Sequence, residues 1–109
     1  MATRQEVYRA IDGERDYQEV KIKENNWNNP KRVGEFLSIL RVLLADAEKK
    51  WYGESDVQPT ETLSQIRKIA AVSVACMEHN GVVHRGITAS FPQRNLIDSA
   101  HQQILSNVQ

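Results

Sequence analysis

Few side chains in this sequence have types and spacing that could do chemistry. Set 100° apart, Glu14 and Gln18 share a helical face with Val7, Ala10, Ile11 and Tyr17. A carboxylate on an apolar stripe needs a partner, because burying it unpaired is costly. Glu14 is therefore expected to meet an Arg or Lys, or a ligand. The plainer reading is a structural salt bridge, or a stripe edge open to water. Arg67 and Lys68, with Ser64 and Gln65, form the basic front end of an otherwise apolar stretch. Glu35 and Asp46 share one side of a further helical run.

Other chemistry finds no support in the spacing. The five glycines are scattered and form no phosphate loop. Cys76 and His79 are one turn apart with only His84 near them, which reads as a core thiol and a surface imidazole rather than a zinc set. Ser73 reads as a packing residue. No nucleophilic triad can be assembled, and no cofactor is expected.

The elements that must position these residues are helical. The chain is organised around Leu63 to Gly81, where only Ser73 is polar between Ile69 and Met77. Such a segment predicts a buried central helix. Thr62 with Gln65 is spaced to cap it, and Asn80-Gly81 is a stop signal. Thr3 to Gln18 predicts a first helix, capped by Thr3 with Glu6, in which Gly13 would permit close approach of a neighbour. Val20 to Pro30 reads as a connection, with Trp27 anchoring it onto the core or, in the alternative, stacking on a ligand. Pro30 to Tyr52 predicts a second long helix with Asn29 as its cap and Gly53 as its stop. Its stripe of Val33, Phe36, Leu37, Leu40, Leu43, Leu44, Ala47 and Trp51 is widened by Ile39 and Val42. Two apolar sides predict more than one partner helix, or another subunit. Gly53 to Pro59 is a polar loop. Val82 to Phe91 has no clear assignment, and a short amphipathic helix follows to about Ser106.

Composition bounds the rest. A chain of 109 residues is expected to be one all-α domain over 1–109: a small helical bundle with two long helices, a buried central helix and a short C-terminal helix. Lys+Arg and Asp+Glu balance at 14 each, so no overall basic field calls for a nucleic-acid polymer or a membrane surface. One cysteine excludes an internal disulfide and suits a reducing, cytoplasmic setting. No apolar run is long enough to span a bilayer, and the first ten residues lack the apolar core of a signal peptide.

Two resemblances enter on specific residues. Val33 to Phe36 (VGEF) and Arg67 to Gly81 (RKIAAVSVACMEHNG) resemble a degenerate version of the MazG-type all-α nucleoside triphosphate pyrophosphohydrolases. Those carry E-E-x-G-E on one helix and an acidic pair at the start of another. With Glu14 to Gln18 (ERDYQ) and Val33 to Leu37 (VGEFL) added, Thr3 to Gly81 resembles small helical proteins of tailed bacteriophages and prophages. Carried over, the two leading acids of the hydrolase motif fall on Lys31 and Arg32, and only Glu35 keeps its charge. On the central helix the expected acids fall near Gln65 and Lys68. The resemblance therefore implies the fold without the magnesium site, and no enzyme activity.

If Lys31, Arg32, Arg67 and Lys68 converge as the hydrolase carboxylates would, they make a metal-free pocket for phosphate, with Glu35 or Glu14 orienting the ligand or an arginine. The bland alternative makes them solvated residues, or partners of Glu14, Glu35 and Asp46. The leading expectation is a phage-type, non-catalytic binder of a nucleotide or nucleotide-derived signal that acts in counter-defence as a homo-oligomer in the host cytoplasm. The alternatives are a protein-interaction inhibitor or adaptor of a host protein, and a residual magnesium-dependent hydrolase using Glu14, Glu35 and Asp46.

Overall fold

The computed structural model describes residues 1–27 and 29–86 and places them in three helices: α1 (Arg4–Glu24), α2 (Val33–Tyr52) and α3 (Thr60–Asn80). The chain is all-helical among the described residues, and α3 is the central element. It packs against both α1 and α2, whereas the backbones of α1 and α2 stay apart. Among the described residues, the buried apolar ones are Phe36 and Ala47 of α2 and Ala71 and Ala75 of α3. Small side chains at 71 and 75 allow close approach of the neighbouring helices. No described helix is long and apolar enough to cross a membrane.

The start of α1 follows the sequence. The Thr3 hydroxyl accepts from the Glu6 N–H at 3.1 Å, and the Glu6 carboxylate accepts from the Thr3 N–H at 2.8 Å. Hydrogen bonding of the carboxylate to the Thr3 backbone N–H first, and then to the Thr3 side chain, holds the Glu6 carboxyl below its ordinary range. Its end does not follow. The helix runs to Glu24, through the stretch expected to be a connection. Ile22 lies one turn beyond Gln18, so the face that carries Glu14 continues. The asparagines stop it instead: Asn26 adopts φ 58°, Asn26 N–H donates to Lys23 C=O, and Trp27 N–H donates to Ile22 C=O at 2.9 Å. This is a Schellman ending with asparagine in the left-handed position.

Two further helix starts differ from expectation. α2 begins at Val33, not Pro30, and the Glu35 carboxylate accepts the Arg32 N–H at 2.8 Å. The start of α3 is not held by Thr62 with Gln65. Glu54, from the preceding loop, accepts the N–H groups of Glu61 and Thr62 and the Thr62 hydroxyl at 2.7–2.8 Å. A carboxylate there meets open donors and the positive end of the helix dipole. Gln65 is buried instead. Gly53 does close α2, but with φ −101° rather than a left-handed turn.

Gly13 faces open space, since a Cβ there would meet nothing within 4 Å; it permits no close approach. At the end of α3, Gly81 adopts φ 106° and its N–H donates to Met77 C=O at 2.7 Å. Residues 82–86 carry no helix or strand. The rest of Val82 to Phe91, and the C-terminal helix expected to about Ser106, lie outside the described residues.

Candidate functional site: a groove between α1 and α2

Because α1 and α2 pack on α3 with their backbones apart, a groove of about 450 Å³ opens between them. Val72 and Ala75 of α3 lie along it. Glu14, Tyr17, Gln18 and Ile22 line the α1 side, and Phe36, Ile39 and Leu43 the α2 side. Glu19 and Lys21 of α1, with Lys31, Lys68, Trp27 and His79, complete the lining. On α2, the lining residues repeat at three and four positions, so one strip of the helix faces the groove.

Local chemistry fixes these groups. The Schellman turn presents Trp27 beside Ile22. Trp27 is 60% exposed, so it forms part of the groove rather than anchoring the loop to the core. Lys31 is held through its backbone: its N–H donates to His79 Nδ1 at 3.1 Å, and its C=O accepts from Asn80 Nδ2 at 3.0 Å. His79 must therefore present a bare Nδ1 to the loop. Its ring also meets Phe36 edge-on, with centroids 5.2 Å apart. Asn80, expected only as part of a stop signal, thus clasps the loop ahead of α2. The Lys21 amine sits 5.6 Å above the Tyr17 ring.

The sequence-derived site residues divide into separate places. Glu14 is buried, and its Oε1 accepts from Arg67 Nε at 2.7 Å. Arg67 lines a different, almost wholly apolar hollow of about 580 Å³ with Val7, Ala10, Leu63 and Ile66. Lys68, Lys31 and Glu14 reach the groove, whereas Arg32 and Glu35 are exposed at the start of α2 and line neither hollow. The structure brings Glu14 to Arg67, and Lys31 and Lys68 to one groove; it does not gather all four cations around one point. Asp46 pairs with Lys50 at 3.5 Å, apart from Glu14 and Glu35. Among the described residues, no group of three or more His, Cys, Asp or Glu is placed to hold a metal ion.

One electrostatic cluster beside the groove has a sequence signal only for its local half, the four-residue spacing of Arg15 and Glu19. Arg15 is buried and bridges Glu19 on its own helix at 2.6 Å and Glu78 of α3 at 2.7 Å. Burial alone would lower the Arg15 pKa, but bonds to both carboxylates outweigh it and hold the guanidinium above its ordinary value. Its Nη1 is buried without a hydrogen-bond partner. A pairing between positions 15 and 78 depends on how α1 lies against α3, which spacing within either helix does not encode.

No family model, curated protein or solved structure matches this chain.

Proposed function

We infer that this chain is a non-catalytic binding protein whose groove between α1 and α2 takes a small anion carrying a flat ring, the chemistry of a nucleotide or a nucleotide-derived signal. One observation carries this reading: Lys31 and Lys68 both reach a largely apolar groove of about 450 Å³ that also contains Trp27, Tyr17 and Phe36. Aromatic faces suit a planar base, and two ammonium groups suit phosphate oxygens. The volume falls within the ~300–1,000 Å³ usual for small-molecule sites. Arg67 supports the groove from outside it, through Glu14. In the phage setting that the resemblance implies, such a binder would sequester a host signal.

A thermal-shift screen of mononucleotides, dinucleotides and cyclic nucleotides tests this reading. A ligand at a hundred times its dissociation constant adds about 2.7 kcal/mol to stability. The gain should shrink in Lys68→Ala and Lys31→Ala. A flat screen overturns the reading, and magnesium-dependent pyrophosphate release would replace it with the hydrolase alternative.

A second reading is a protein-interaction factor that grips a host protein. The exposed indole of Trp27, 60% open, favours it, because aromatic residues anchor protein interfaces. Stable capture of one purified host protein, lost in Trp27→Ala and accompanied by no nucleotide response, would select it.

A further inference from the structure

The side of the molecule opposite the groove carries a second surface. Helix α3 shows Lys68, Val72, Ala75 and His79 to the groove. Leu63, Ile66, Ala70 and Met77 lie about half a turn away at 100° per residue. On α2, Phe36 and Ala47 are buried, and Ile39 and Leu43 turn to the groove. Leu37, Leu44 and Trp51 fall on the other flank of that contact line. At 100° per residue both rows turn to the side of the hairpin away from the groove. The hollow of about 580 Å³, where Leu63, Ile66 and Ala70 meet α1, carries the surface onward.

Both rows have a seven-residue period. Leu37, Leu44 and Trp51 are seven apart on α2, and Leu63, Ala70 and Met77 are seven apart on α3. The two helices run antiparallel: Phe36, near the start of α2, meets His79, near the end of α3, while Glu54, just after α2, caps the start of α3. An antiparallel hairpin with such outward rows is half of a four-helix bundle. Leu37, Leu44, Trp51, Leu63, Ile66 and Met77 each keep between 42% and 58% of their surface exposed. Six large side chains left about half open would, once covered, supply much of the ~800 Å² that each partner buries in a standard interface. Ser73 shares this side, but its hydroxyl already donates to Ile69 C=O at 2.9 Å. It leaves no donor for an apolar partner to satisfy.

We propose that this face binds a second copy of the chain, the two α2–α3 hairpins packing about a twofold axis into a four-helix bundle with the ligand grooves on its outer sides. A second copy offers the same uncharged rows, so the contact is self-complementary. It would also cover apolar side chains of the hairpin that are exposed among the described residues. The proposal is independent of what the groove binds.

Light scattering on the full chain at micromolar concentration should give twice the 12.4 kDa of one chain. The melting temperature should rise with protein concentration, as it does for an assembly-linked fold. Leu44→Glu and Ile66→Glu, made separately, should each shift the mass to 12.4 kDa while circular dichroism still shows helix. If both variants fail to fold, the concentration dependence of the unmodified chain decides. A 12.4 kDa species with a melting temperature independent of concentration overturns the proposal, whether residues 87–109 or nothing covers the face. Folded glutamate variants that stay dimeric overturn it too, because the contact would then lie elsewhere.

Discussion

Arg67 of α3 donates to Glu14 of α1 at 2.7 Å, and the two side chains are unequally buried: 42% of Arg67 is exposed against 8% of Glu14. The carboxylate is therefore the member that depends on the pair. Removing Arg67 leaves a mostly buried charge without its ion-pair partner, whereas neutralising Glu14 leaves an arginine that water can reach. Arg67→Ala should lower unfolding stability by about 1–2 kcal/mol, less than the ~3–5 kcal/mol for breaking a fully buried pair. Glu14→Gln should cost less than Arg67→Ala, because an amide oxygen can still accept from Nε. Urea titrations of the two variants check the order; equal losses would mean that the burial asymmetry carries no energetic weight. Ligand affinity separates this pair from the groove cations, since Lys68→Ala should weaken binding with little loss of stability.

Gly13 sits in the middle of α1 with open space where its Cβ would be. Only the helix-propensity cost of glycine remains there. Gly13→Ala should stabilise the protein by up to about 1 kcal/mol, seen as a higher urea midpoint with an unchanged slope. A destabilised alanine variant would show that something does pack against this position.

Asn26 holds φ 58° at the end of α1. Alanine in that conformation is strained by about 1–2 kcal/mol, whereas glycine is not. Asn26→Ala should therefore destabilise the chain, and Asn26→Gly should match or exceed the unmodified protein in melting temperature. Because this turn presents Trp27, the alanine variant should also alter Trp27 fluorescence more than the glycine variant does.

The helix starts and the pairings show what the residues could and could not announce. Thr3 with Glu6, and the apolar run from Ile69 to Met77, are local signals, and both appear in the fold. A buried carboxylate at position 14 demands a cation, and Arg67 supplies it. The choice of Arg67 over Arg32 or Lys68 depends on how α1 and α3 cross, which no periodicity specifies. Asn25 to Asn29 does mark a turn. Its polarity hides the continuing face through Ile22, so the sequence signal ends α1 earlier than the fold does. Glu54 was invisible as a cap because it reaches Glu61 and Thr62 across a loop, beyond the three-residue spacing that identifies a capping box. The groove was illegible for the same reason as Arg15 with Glu78: it exists only because two helices share a third.

Glu54 links the start of α3 to pH. Burial would raise its pKa, but the Thr62 hydroxyl, the backbone N–H groups of Glu61 and Thr62, and nearby Lys50 together hold it below its ordinary value of 4.5. The folded carboxyl thus releases its proton more readily than the unfolded one. Its contribution is fully present above the unfolded pKa and is lost as pH falls through the lower folded value. Stability measured by urea titration should accordingly drop as pH falls below about 5, as expected for a lowered carboxylate. Glu6 is lowered in the same way and adds to that slope. In Glu54→Gln the slope should flatten and the start of α3 should lose amide protection from hydrogen exchange at neutral pH. An unchanged slope in that variant would place the acid sensitivity at Glu6 or another carboxylate and would remove Glu54 as the group that couples pH to the helix.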